Sequence, residues 1–245
     1  MLDQREKLLL FLLCVFCSLP ILWRLGDSPI QLWDESLFGL RAIIFAETGN
    51  YPLDYTYITA YNDRPNTKPP LITLLQALSL KSIGYSEFAL RIPIAIMSIF
   101  CAILIYFFFL KYIHNSLAGL ISAILLVSNE FYLSMHVARS ANHDAPFALF
   151  TTTLCLSAYL YLMTEDQRRN IYLWSAGASL SAALFVKGFF VLALAPGFLI
   201  FLIARGDFLS VIRRPVVWIT FLIPIALFSS WLFAMNLEHP GFWSR

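Results

Sequence analysis

Long apolar runs alternate with short polar connections along this chain, and their lengths match a bilayer rather than a globular core. A membrane-crossing helix needs about 20 mostly apolar residues. The stretches Leu8 to Leu25, Ile92 to Leu110, Leu117 to Leu133, Ala145 to Met163, Tyr172 to Val186, Phe189 to Ala204 and Val216 to Met235 approach that length. The first follows a short head with Arg5 and Lys7 and has no small-residue cleavage site, so it is expected to stay as a helix rather than be removed as a secretory signal. The expected fold is all-α and polytopic, with about seven transmembrane helices.

The first long polar segment, residues 26–85, has a pattern of its own. Trp33, Leu37, Leu40 and Ile44 fall on one helical stripe, with Arg41 and Glu47 off it, which predicts a short helix lying in the membrane interface. Gly49-Asn50-Tyr51-Pro52 ends that helix, and the polar stretch Tyr61 to Pro70 reads as a loop. Leu71 to Ile83 then predicts a second short interfacial helix. No repeat, low-complexity tract or flexible linker interrupts the chain, so residues 1–245 are read as one membrane domain with 26–85 as its first outer loop.

Composition agrees with the pattern. The chain is 59% hydrophobic and 13% charged, with a mean hydropathy of +0.72, too apolar for a soluble domain. Its formal net charge is +2 and no basic cluster is interleaved with aromatics, which sets nucleic acid aside as a partner. Cys14, Cys17, Cys101 and Cys155 all lie in apolar runs, where cysteine acts as a small hydrophobe. Cys14 and Cys17 form a C-x-x-C spacing, but no second Cys or His pair completes a zinc site.

Charge also orients the chain. Lys111, then Arg168 and Arg169, then Arg205, Arg213 and Arg214 occupy alternate short connections on the side of the basic head. Basic residues near span ends are retained in the cytoplasm. The 26–85 segment, the turn from Glu130 to Asp144, the Lys187-Gly188 turn and the tail after Asn236 are therefore expected to face outward.

Candidate chemistry collects on that outer side. Asp34 and Glu35 start a predicted helix, where acidic side chains favour the free N–H groups. Alternatively Asp34 is a general base toward an acceptor hydroxyl, with Glu35 orienting substrate or basic side chains. Lys68 stands before Pro69 and Pro70, which bias it to an extended backbone. Lys68, Arg139 and Lys187 are three cations on one membrane face, a set suited to a lipid-borne phosphate. Lys68 also reads as a solvated loop lysine and Lys187 as a snorkelling residue at a span end. Asp144, beside His143 and before Pro146, is either an N-cap or a polar member of the same site. His136, Arg139 and His143 share a helical face, but two histidines without a third ligand make no metal site.

Taken in order, Trp33-Asp34-Glu35-Ser36, Lys68-Pro69-Pro70-Leu71, Phe88-Ala89-Leu90-Arg91-Ile92-Pro93, Ala138-Arg139 through Asp144-Ala145-Pro146, and Val186-Lys187-Gly188 followed by Pro196 resemble the C-type membrane glycosyltransferases of the aminoarabinose transferase and protein mannosyltransferase superfamily. The resemblance covers nearly the whole chain. It implies inverting transfer of a sugar from a polyprenyl-phosphate carrier to a lipid or protein acceptor, at the periplasmic face of a bacterial inner membrane. It matches Asp34 to the acidic residue of the first outer loop, Lys68 to a donor-phosphate lysine, and Arg139, Asp144 and Lys187 to polar positions of the same cavity. It implies no metal or other cofactor, since cations alone can stabilise a departing lipid phosphate. Members of that superfamily are longer, with further spans and a soluble outer domain, so this chain is expected to correspond to their N-terminal half. Two rival readings are a carrier-lipid binding or transport protein, and a non-catalytic or truncated family member.

Overall fold

The computed structural model describes residues 3–51, 68–133, 136–166 and 168–238. All regular structure among them is helical: α1 Gln4–Leu22, α2 Asp34–Thr48, α3 Leu71–Ile83, α4 Glu87–Phe108, α5 Ser116–Ser128, α6 Glu130–Leu133, α7 Asp144–Met163, α8 Arg169–Lys187, α9 Ala195–Arg205, α10 Phe208–Ile212 and α11 Pro215–Glu238. A π-helical turn, Phe109–Ile113, extends α4, and a 3-10 stretch, Gly188–Leu194, links α8 to α9. The chain divides into two compact units, Met1–Tyr51 with Ile72–Leu149, and Pro52–Leu71 with Phe150–Arg245.

In the first unit α1, α4 and α5 pack together through Leu13, Cys17, Ile21, Ala95, Ala102, Tyr106, Ala123 and Val127. Many of these side chains are small. Between membrane helices small residues let backbones approach, because lipid offers no hydrophobic drive to association. Gly119 carries this furthest: a Cβ there would lie 2.9 Å from the Tyr106 carbonyl oxygen and 2.9 Å from Phe109 Cβ. A second cluster joins Ala42 and Ala46 of α2, Ala77 and Leu80 of α3, Ala89 and Leu90 of α4, and Ala141.

One expectation about this unit changes. The run from Leu117 to Leu133 is not one helix. Asn129 leaves α5 with an extended backbone, φ −72° and ψ 123°, and its side-chain oxygen accepts the Phe131 amide at 2.9 Å to start the single turn α6. Helix α2 forms where the stripe predicted a helix; the face it turns to the protein is Glu35, Phe38, Gly39, Arg41, Ala42 and Ala46, while Trp33 is exposed and Leu37, Leu40 and Ile44 are half-buried. In a membrane protein the most apolar stripe need not face protein, because lipid accepts it equally well.

In the second unit α8 and α11 run parallel. Gly177 sits under Thr220, and Phe185 meets the Phe228 ring edge-on at 5.5 Å, so both contacts advance together along the two helices. Between them the chain reverses at Gly188, whose φ of 64° suits glycine. Leu173 of α8 and Leu202 of α9 share one cluster with Tyr161, Val211 and Val217. A straight helix would separate those two leucines by about 44 Å.

Four stretches among the described residues are long and apolar enough to cross a bilayer: Glu87–Ile113, Asp144–Met163, Arg169–Arg205 and Pro215–Glu238. The third contains the reversal, which separates the two expected runs Tyr172 to Val186 and Phe189 to Ala204. Helix α1 carries Arg5, Glu6 and Lys7 in its first turn, and α5 has 13 residues, so neither joins the four. The protein is a polytopic helical membrane protein.

The α8–α11 contact gives a direct test. A Cβ on Gly177 would lie 2.6 Å from Thr220 Cγ2 and 2.9 Å from its backbone oxygen, whereas one on Gly197 meets nothing within 4 Å. Gly177→Val is expected to lower stability by about 1–3 kcal/mol, read as thermal unfolding in detergent, and Gly197→Ala to leave it unchanged.

Candidate active-site region

The geometry of the first unit centres on a buried ion pair. Arg91, in the first turns of α4, donates from Nε to Glu35 Oε1 at 2.8 Å and from Nη2 to Glu35 Oε2 at 3.0 Å. Its Nη1 reaches the carbonyls of Leu25 at 2.9 Å and Ser28 at 2.8 Å, with Ser28 Oγ at 3.1 Å, and Nη2 also reaches the Pro29 carbonyl at 3.0 Å. All five guanidinium N–H groups have acceptors. The Glu35 carboxylate also accepts the backbone amides of Gln31 and Ala141, each at 2.8 Å. Both side chains are sealed, 1% and 2% exposed.

These bonds gather the segment that leads into α7. Glu35 holds Ala141 through its amide, and Gln76 of α3 donates from Nε2 to the Ala141 carbonyl at 2.9 Å. His143 is buried with its ring edge-on to Phe38 of α2, centroids 4.0 Å apart, and the Arg41 guanidinium lies over the Phe38 ring, 5.5 Å from its centroid. Arg139 donates from Nη1 to the Pro20 carbonyl and from Nη2 to the Trp23 carbonyl at 2.8 Å. Those are carbonyls at the end of α1, where a helix leaves acceptors free and its dipole favours a cation. Three of the motifs singled out in the sequence, around Asp34, Arg91 and Arg139–Asp144, therefore converge within this unit.

The burial of Glu35 works against its charge, but the Arg91 hydrogen bonds, the two backbone amides and the Arg91 charge outweigh it and hold its carboxyl below the ordinary glutamate value of 4.5. Burial, and then the nearby Arg91 charge, lower the Arg139 guanidinium from its usual value.

The remaining candidates are placed as follows. Asp34 is the exposed first residue of α2, next to Glu35. The preceding Trp33 is exposed and has φ 78°, a backbone region costly for a non-glycine residue. Asp144 is half-buried in the first turn of α7. Lys68 and Lys187 belong to the second unit. Lys68 is exposed ahead of a buried Pro69, and Lys187 is half-buried in the last turn of α8. Most of the expected loop from Tyr61 to Pro70, residues 61–67, lies outside the described residues.

Sequence reasoning gave Arg91 no role beyond its motif and did not single out Gln76. For Arg91 one signal was available: an arginine beside an apolar run is costly unless it has partners. Nothing in the sequence pointed to Gln76.

Comparison with known proteins adds a family. A model described as dolichyl-phosphate-mannose-protein mannosyltransferase matches residues 67–233, which takes in Lys68, Arg91, Arg139, Asp144 and Lys187 and begins after Asp34 and Glu35. An uncharacterized protein of Aquifex aeolicus (strain VF5) is 25% identical over 184 residues, 75% of this chain and 34% of that protein. The fold is shared with the Saccharomyces cerevisiae protein O-mannosyltransferase Pmt1-Pmt2 complex bound to the sugar donor, with a TM-score of 0.65 and 21% identity over 97% of this chain and 33% of that one. This chain thus spans about a third of the length of the relatives it matches.

The depressed Glu35 pKa fixes a pH dependence. Because the folded value lies below the unfolded one, the stability Glu35 contributes is complete above pH 4.5 and is lost as pH falls through the folded value. Thermal unfolding followed from neutral pH to about pH 3 is expected to show this loss in the wild type, and a correspondingly shallower fall in Glu35→Gln.

Proposed function

The chain belongs to the dolichyl-phosphate-mannose-protein mannosyltransferase family, and from that membership we propose that it forms part of a membrane glycosyltransferase moving a sugar from a polyprenyl-phosphate carrier to a protein or lipid acceptor. The reaction takes place at the outer face of the membrane, with the N-terminus in the cytoplasm. In a bacterium that membrane is the inner one and the site is periplasmic.

One observation carries the assignment of roles: of two adjacent carboxylates, Glu35 is sealed by Arg91 and two amides, while Asp34 is exposed at the helix start. That arrangement supports Asp34 as the catalytic base and Glu35 as the residue that positions it. Asp34 takes the proton of an acceptor hydroxyl as the hydroxyl oxygen attacks the anomeric carbon. The bond from that carbon to the carrier phosphate breaks, its electron pair leaves with the phosphate, and the anomeric centre inverts.

Lys68 and Lys187 supply positive charge to the departing phosphate. Arg139, expected from the sequence to share that role, donates to the Pro20 and Trp23 carbonyls, which supports a positioning role at the end of α1 instead. His143, against Phe38, positions the start of α7, and Asp144 supplies a polar group at that helix start.

The test is release of polyprenyl phosphate from polyprenyl-phosphate mannose by membranes containing the full protein. Asp34→Asn is expected to lower release by about 10²-fold or more with donor binding retained. Unchanged release would remove Asp34 from the chemistry, and donor binding without release by the wild type would favour the carrier-lipid binding reading.

A further inference from the structure

The second unit contains an apolar cavity of about 720 Å³ that the proposed reaction does not use. Its walls come from the middle of α7, at Cys155 and Ala158, from Leu180 of α8, and from the 3-10 stretch, α9, α10 and the first half of α11. Lining residues Leu192, Leu199 and Trp218 are 42%, 44% and 52% exposed, so the cavity is open at the molecular surface.

One end of this cavity has the marks of a membrane boundary. Phe208, Val211 and Ile212 of α10 line it, and Arg213 and Arg214 follow directly, both exposed. Trp218 lines the cavity and donates from its indole nitrogen to the Ile212 carbonyl at 2.7 Å. An amphipathic indole beside arginines is the arrangement found at headgroup level. From there the lining on α11 extends from Val217 to Ile225. That is about 12 Å of helix rise, against roughly 15 Å for half of a hydrocarbon core.

We infer that this cavity binds one anionic glycerophospholipid, with an acyl chain among the α7, α9 and α11 side chains and the phosphate beside Arg213 and Arg214. Depth favours an acyl chain over a polyprenyl tail, because the apolar lining extends through about one leaflet. Position favours it too. Leu173 and Val217 share the cluster at the Arg213 end, and Lys187 lies fourteen positions further along α8, about 21 Å away. The arginine end is therefore separate from the lysine assigned to the carrier phosphate. Basic residues at this level attract anionic lipid headgroups.

Gly197 makes the test clean, because it lines the cavity and a Cβ there meets nothing within 4 Å. The full protein, purified in detergent, would be titrated with dioleoyl phosphatidylglycerol or dioleoyl phosphatidylcholine and retained lipid counted by native mass spectrometry. The expected result is one phosphatidylglycerol retained per chain, roughly tenfold more tightly than phosphatidylcholine. Arg213→Gln with Arg214→Gln should erase the preference, and Gly197→Leu should abolish retention with unfolding temperature unchanged. Equal retention of the two lipids, retention that survives Gly197→Leu, or displacement of phosphatidylglycerol by equimolar polyprenyl phosphate would overturn the inference.

Discussion

A carboxylate and a guanidinium can both be taken out of water only if each finds nearly all of its hydrogen-bond partners in the protein, and Glu35 with Arg91 meets that condition. Burying either charge alone costs several kcal/mol. The pair offsets this with two mutual bonds, and Arg91 turns its other N–H groups to the carbonyls of Leu25, Ser28 and Pro29. Those carbonyls belong to irregular backbone between α1 and α2, which a membrane boundary leaves short of water and which must be satisfied from within. Glu35 does the same for the amides of Gln31 and Ala141. One ion pair therefore holds three separate segments: the turn after α1, the start of α2 and the approach to α7.

That constraint also fixes the backbone beside two polar side chains. Asp34 is adjacent in sequence to the anchored Glu35, and Asp144 lies three residues after the anchored Ala141. Polar groups far apart in the chain are thereby presented from backbone that is locally fixed. In the proposed reaction, preorganisation of this kind would limit the reorganisation needed when charge develops. Arg139 adds to it by holding the end of α1 through the Pro20 and Trp23 carbonyls.

Much of the helical framework was legible because hydrophobic periodicity and length report it directly. The stretch Leu71 to Ile83 is α3 to the residue, and Ala145 to Met163 is α7 less its first residue. Helix α4 begins five residues before its apolar run, because Ser86 caps it by accepting the Ala89 amide. The break at Asn129 was overrun because the apolar Phe131, Tyr132 and Leu133 follow it, although Ser128-Asn129-Glu130 is a polar triplet that carries a helix-capping residue. Helix α10 was missed because five residues between basic flanks leave no periodicity to read. The site was legible as a set of residue types and not as a set of contacts. Glu35 and Arg91 are 56 positions apart, and a single sequence has no signal that joins them.

The most direct measurement is a double-mutant cycle on unfolding free energy in detergent, with Glu35→Gln, Arg91→Met and the two combined. If the ion pair is the organising contact, each single change costs about 3–5 kcal/mol and the double variant costs little more than one of them, a coupling of about 2 kcal/mol or more. Costs that simply add, to within about 0.5 kcal/mol, would contradict it.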